Sequence, residues 1–216
     1  MTPKALRRES DARQRIIEAI IAARATSPVL KSRPQTERFL RQYFRDVPIE
    51  DLQGRSESVM ARIALDHLAL GTVRKKGEPK LRIFNPTESE HGYASKYTII
   101  EIVNDDMPFL VDSVAGAITR QNLAIQITVH PVVRVARDAR GRLTSILDRA
   151  DDKGQLESYM RVVIDRESRP QHLRVLEQEI LRVLADVRAA VRDWDAMRQR
   201  MTEARDSILT TAAPVD

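Results

Sequence analysis

Three consecutive polar residues, Asn104-Asp105-Asp106, stand between an apolar run and Pro108, a cluster placed where a strand turns into a helix. Two readings of them are open. At the end of a strand, such residues satisfy the free N–H groups of a following helix, whose dipole favours carboxylates. The same position also suits a small-molecule site, where backbone N–H groups meet a carboxylate and acidic side chains meet an ammonium. Every helix start needs its N–H groups satisfied, so capping is the commoner outcome.

Other chemistry is sparse. The sequence has no cysteine, which removes disulfides, thiolate nucleophiles and cysteine-based metal sites together, and fits a reducing compartment. The four histidines, His67, His91, His130 and His172, have no partner at metal-ligand spacing. His67 falls near the apolar face of a helix and reads as a core or boundary residue, and His130 beside Pro131 reads the same way. His91 reads as a loop residue, with Glu88 and Glu90 as its only acidic neighbours. The seven glycines are scattered, so there is neither a Gly-x-Gly-x-x-Gly nor a phosphate loop. No nucleophile–base pair can be drawn, and catalysis by this chain alone is not expected.

The elements that position these residues fall into three regions. Residues 1–78 read as helical: Ile16, Ile17, Ile20 and Ile21 form one stripe, ended at Thr26-Ser27-Pro28, and Phe39, Leu40, Tyr43 and Phe44 form a second. Ser56 reads as the cap of a third helix burying Val59, Met60, Ile63, His67 and Leu68. From residue 79 the period shifts from 3.6 to 2. Strands are expected at 81–84, 97–103, 125–129, 132–135, 143–147 and 158–164, with one helix from Pro108 to about Gln121 and a glycine turn at Asp138–Gly141. Pro131 marks a sheet edge or bulge. Residues 169–208 return to helix, with Leu173, Leu176, Ile180, Leu184, Val187, Val191 and Trp194 on one face, before a polar tail.

This order predicts an α+β fold. The expected form is a ferredoxin-like antiparallel sheet with helices on one face, preceded by a helical segment and followed by a long C-terminal helix. Divided by composition, the chain has a helical segment at 1–78, the α+β domain at 79–193 and a helical extension at 194–216.

The net charge of +5 invites a nucleic-acid reading, but arginines alternate with acids, as in Glu177…Glu179…Arg182…Asp186…Arg188. Mixed-sign helix faces are solvated surface, and a one-sign stripe with stacking aromatics is absent. No apolar run reaches the length of a membrane span, and Met1–Ser10 lacks the apolar core of a signal peptide. A cytoplasmic protein is expected, bound neither to nucleic acid nor to a membrane.

Several separated motifs resemble the N-terminal region of the large bacterial NAD-dependent glutamate dehydrogenases. They are Phe84-Asn85-Pro86-Thr87 with Glu90-His91-Gly92, then Glu101–Val114, Val129-His130-Pro131-Val132, Glu157-Ser158-Tyr159-Met160 and Leu184–Trp194. The resemblance implies a parent enzyme that oxidises L-glutamate to 2-oxoglutarate and ammonia with NAD. The catalytic and NAD-binding segments of that family lie elsewhere in the longer chain, so no catalytic residue, metal or cofactor is carried over to this segment. It implies an ACT-like regulatory or oligomerisation module, whose partners are the rest of the parent chain, further copies of it, and an amino-acid effector. The implied effector site is Asn104, Asp105, Asp106 and the backbone of Met107, Pro108, Phe109 and Leu110. Where the general ACT pattern has glycine, this sequence has Phe109, whose side chain would crowd a ligand. The alternative is a scaffold without ligand, assembling through helices at 1–25 and 170–208.

Overall fold

The computed structural model describes residues 3–23, 27, 29–30, 32–52 and 56–211. Thr26 and Pro28 of the expected break, and the tail beyond Thr211, lie outside these residues. The N-terminal region forms α1 (Pro3–Ala22), α2 (Arg33–Phe44), the single turn α3 (Ile49–Leu52) and α4 (Glu57–Leu70). Then come β1 (Lys80–Phe84), a short α5 (Glu88–His91), β2 (Thr98–Asp105), α6 (Leu110–Arg120), β3 (Ile125–Val129), β4 (Val132–Arg137), β5 (Leu143–Ile146), β6 (Gln155–Ile164) and α7 (Pro170–Thr211). The segment at 88–91, expected as a loop, is α5: Thr87 Oγ1 accepts from Glu90 N, and Gly92 at φ 68° ends the turn.

All strand pairs are antiparallel, in the order β1-β2-β6-β4-β5. The ten-residue β6 carries β2 along one edge, while β3 and β4 share its other edge. His130-Pro131 separates those two short strands. Pro131 cannot donate, but its carbonyl accepts from Tyr159 N at 2.8 Å, so the ladder passes the proline. Strands β2 and β3, joined through α6, run parallel with β6 between them, which is the split βαβ unit of the ferredoxin-like plan. In that plan a final strand after the second helix lies beside the first. Here β1, which precedes the unit, occupies that edge, and α7 is left free to run on.

Both sheet faces are covered. The period-2 alternation sends Ile100, Ile102, Met160, Val162 and Ile164 to a core with α6 and α7. Val103, Tyr159, Val133, Val135 and Ile146 face the other way, into a core with Ile17, Ile20, Phe39, Leu40, Tyr43 and Leu68 of the N-terminal helices. A sheet covered on both faces accounts for the nearly continuous burial of β2 and β6. Of the expected stripes, Ile17, Ile20 and Ile21 of α1 and Phe39, Leu40, Tyr43 and Phe44 of α2 are buried, and Ile16 is partly so. Ser56 occupies the N-cap position of α4, but its hydroxyl meets Ser58 Oγ at 3.2 Å and not a backbone N–H. The Asp138–Gly141 turn closes as expected: Gly141 sits at φ 79°, and a Cβ there would come within 2.7 Å of the Arg74 carbonyl oxygen.

Candidate functional site at the end of β2

The acidic group does not cap the helix. Asn104 and Asp105 are the last residues of β2, and α6 begins at Leu110, not at Pro108. Its N-cap position is held by Phe109 at φ 67°, with no side-chain bond to the first turn. Consecutive strand residues point to opposite faces, and this alternation separates the group. Asn104, fully buried, lies on the α6/α7 face, where its Oδ1 accepts from Arg188 Nη2 at 2.7 Å. Asp105 lies on the other face, accepting from Arg74 Nη2 at 2.8 Å and from Gly77 N at 2.9 Å. Asp106 has left the ladder; its N–H donates to Leu156 O, and its carboxylate is 3.9 Å from His130 Nε2. Burial pulls the His130 imidazole below its ordinary pKa, against the pull of Asp106. Met107 packs on the α6/α7 core, Leu110 is buried, and Pro108 and Phe109 are exposed.

Phe109 thus pays a conformational cost with little packing in return, being 61% exposed. A left-handed backbone costs a non-glycine residue roughly 1–2 kcal/mol. Phe109→Gly should therefore raise stability in urea by about 1 kcal/mol. An unchanged or lower midpoint would show that the ring holds the turn.

Around Asn104, several buried polar atoms lack partners. Asn104 Nδ2, Ser158 Oγ and Arg188 Nε make no hydrogen bond, and Asn104 and Ser158 are directly opposed across β2 and β6. Buried polar groups almost always find partners, so this end of the sheet has hydrogen-bonding capacity to spare on its α7 side.

Two ionic networks that the sequence reading missed lie on the opposite face. Glu157 is fully buried and is gripped by Arg74 Nη2 at 2.6 Å, by Arg137 Nε and Nη2 at 2.6 and 2.8 Å, and by Gln155 Nε2 at 2.7 Å. Arg74, itself fully buried, also holds Asp105. Burial works to raise the Glu157 carboxyl, but the Arg137 and Arg74 guanidiniums outweigh it and hold the group below its ordinary value. Further along, Glu101 bonds Arg82 at 2.7 Å and Arg161, and Arg161 Nη2 reaches Tyr93 Oη at 2.9 Å. Charged residues four apart on one face of β2 and β6 (Glu101, Asp105; Glu157, Arg161) were the available signal. The register sets Glu101 against Arg161, an ion pair, and Asp105 against Glu157, two carboxylates that need Arg74 between them.

His67 is fully buried, as expected for a core histidine. Its Nδ1 lies 2.9 Å from Tyr43 Oη and its Nε2 is 3.2 Å from Ile102 O. Burial lowers its pKa to about 4. His91 stacks on Phe84 with ring centroids 4.6 Å apart, and His172 bonds Glu167 at 2.5 Å. Among the described residues no group of three or more His, Asp or Glu side chains is placed to hold a metal ion.

Two cavities bear on ligand size. An apolar one between α2, α4 and the sheet, lined by Tyr43, Met60, Val129 and Val163, holds about 60 Å³, too little for an amino acid. A cleft of about 500 Å³ beside Arg74, Lys75, Lys76 and Arg137 is large enough, but both arginines are already committed to Glu157. No helix among the described residues is long and apolar enough to cross a membrane.

The chain is 33% identical over 175 residues to an NAD-specific glutamate dehydrogenase of Pseudomonas aeruginosa, a match covering 80% of this chain and 11% of that protein. It is 32% identical over 185 residues to an NAD-specific glutamate dehydrogenase of Halomonas elongata, covering 84% and 12%. The chain thus spans about a tenth of the length of these curated relatives. Residues 39–180 match the family described as "Glutamate dehydrogenase, ACT1 domain". That match runs from α2 through the whole sheet into the sheet-covering part of α7, and leaves out α1, whose Ile17, Ile20 and Ile21 complete one of the two cores. The chain belongs to the glutamate dehydrogenase ACT1 domain family.

Proposed function

We infer that this chain is the cytoplasmic regulatory and assembly module of an NAD-specific glutamate dehydrogenase, whose parent chain deaminates L-glutamate to 2-oxoglutarate and ammonia. In this reading the module itself does no chemistry. On the same reading NAD binds elsewhere in the parent chain, and the carboxylates of Asp105 and Asp106 at the β2–α6 turn disfavour an anionic pyrophosphate there. The module senses an amino acid at the end of β2, next to a further copy of the parent chain. The observation that carries the reading is the spare capacity of Asn104 Nδ2, Ser158 Oγ and Arg188 Nε. Arg188 and the uncapped start of α6 suit an effector's carboxylate, and Asp106 suits its ammonium.

Isothermal titration of this chain with a panel of L-amino acids, including aspartate, arginine and glutamate, tests it. One of them is expected to bind saturably, and Asp106→Ala should weaken that binding by tenfold or more. Absence of heat from the whole panel would overturn the sensing role and leave the scaffold. Binding that survives Asp106→Ala would remove Asp106 from the site.

A further inference from the structure

The apolar stripe of α7 does not stop where the sheet stops. Leu176, Ile180, Val183 and Val187, at steps of four, three and four, are buried against the sheet and α6. The same alternation of three and four continues through Ala190 to Trp194, Met197, Met201, Ala204 and Ile208. In this stretch the large residues are open to solvent: Trp194 is 58% exposed, Met197 55%, Met201 71% and Ile208 70%. A 3-4 repeat is the a/d seam of a coiled coil. Contiguous apolar surface of this kind marks an interaction site.

The flanks of the seam say what fits it. With Trp194 at a, the e positions are Arg198 and Arg205, a positive edge, and the g positions are Asp193, Arg200 and Ser207, whose charges cancel. A second copy is poorly matched. Laid antiparallel, with Trp194 against Ala204, it sets Arg198 against Arg198 and Arg200 against Arg200; laid parallel, it sets Arg200 against Arg205 and Asp193 against Arg198, so that the gain of one pair is offset by the other. Like charges facing each other across such an interface are destabilising. A helix with Glu or Asp at its own e and g positions turns the same contacts into ion pairs. Length matters too. Residues 194–208 make about two heptads, short of the three to four that sustain an independent coiled coil and of the roughly 800 Å² per partner of a standard interface. A tether raises the effective concentration enough to close so short a seam.

We propose that the distal seam of α7 docks an amphipathic helix of the same long polypeptide, lying outside residues 1–216, with apolar a and d positions and acidic flanks. The proposal does not depend on the effector site, and its test reads neither amino-acid binding nor activity.

The experiment places a photocrosslinker at the centre of the seam, Met201→p-benzoylphenylalanine, in the full-length polypeptide. Hydrogen exchange of residues 194–208 is compared between that polypeptide and the 216-residue chain. The expected result is an intrachain crosslink to a heptad helix bearing Glu or Asp at its flanks. Exchange over 194–208 should also slow at least tenfold in the full-length protein. Arg198→Glu together with Arg205→Glu should abolish the crosslink, while far-ultraviolet circular dichroism and an unchanged urea midpoint report that the 216-residue variant keeps its fold. Crosslinking to residues 194–208 of a second copy would overturn the proposal in favour of self-association. Equal exchange in both proteins, or a crosslink to a helix without acidic flanks, would overturn it as well.

Discussion

Glu157→Ala is expected to destabilise the domain by about 3–5 kcal/mol, the cost of breaking a buried ion pair from one side. The substitution leaves Arg74, fully buried, with Asp105 as its remaining acidic partner, and strips Arg137 of both carboxylate contacts. The two guanidiniums tie the loop after α4 and strand β4 to β6, so the loss loosens three elements together. Urea unfolding measures it; a loss below about 1 kcal/mol would show that the network is dispensable. Glu157→Gln keeps the shape and separates charge from packing. Replacing Arg74, Arg137 and Glu157 together by apolar residues should recover part of the loss, because the one charge left behind, Asp105, keeps the Gly77 N–H and lies 3.8 Å from Arg188. The acid side follows by linkage. The folded-state pKa of Glu157 is depressed, so its contribution is complete above the unfolded carboxylate pKa and is lost as pH falls through the folded one.

The second large effect belongs to His67. Burial is the main cause that lowers its pKa from 6.5 to about 4, and the Arg161 and Arg82 charges add to it while Glu101 opposes. Between those two values the unfolded chain takes up a proton that the folded chain refuses. Stability therefore rises with pH from about 4 to 6.5, by about 3 kcal/mol for a shift of that size. Above 6.5 this residue contributes no further slope. The imidazole resonances should show no titration above about pH 5, with Nε2–H donating to Ile102 O and Nδ1 accepting from Tyr43. A midpoint near 6.5 would mean that the ring is open to water.

Much of the fold is legible in one dimension. Ile17, Ile20, Phe39, Leu40, Tyr43 and Leu68 sit at helical spacing and are the residues that the N-terminal helices bury. What these helices cover is harder to read. The clue was the run Ile99-Ile100…Ile102-Val103, apolar on both faces, which a sheet with one solvated side would not carry. The place of β1 was not legible at all, since nothing in Leu81–Phe84 states which edge it joins. The site illustrates a different loss. Asn104, Asp105 and Asp106 form one cluster along the chain, yet the pleat sends the first two to opposite sides of the sheet. Arg74 escaped notice because Arg74-Lys75-Lys76 looks like solvated basic surface. Only tertiary pairing with Glu157 and Asp105 makes burial of that arginine tolerable.

The uninterrupted length of α7 has a mechanical consequence. At 42 residues it measures roughly 63 Å, and the stretch beyond Arg188 accounts for roughly 35 Å of that. Arg188, held by Asn104 at 2.7 Å, ties this rod to the sheet near the end of its buried stretch. It therefore acts as a fulcrum with a short arm among the strands and a long arm in solvent. A tilt of about 5° at the fulcrum sweeps the far tip through about 3 Å, more than half a helical turn. Whatever reorients the Asn104 amide is thus amplified mechanically, with no rearrangement of the sheet.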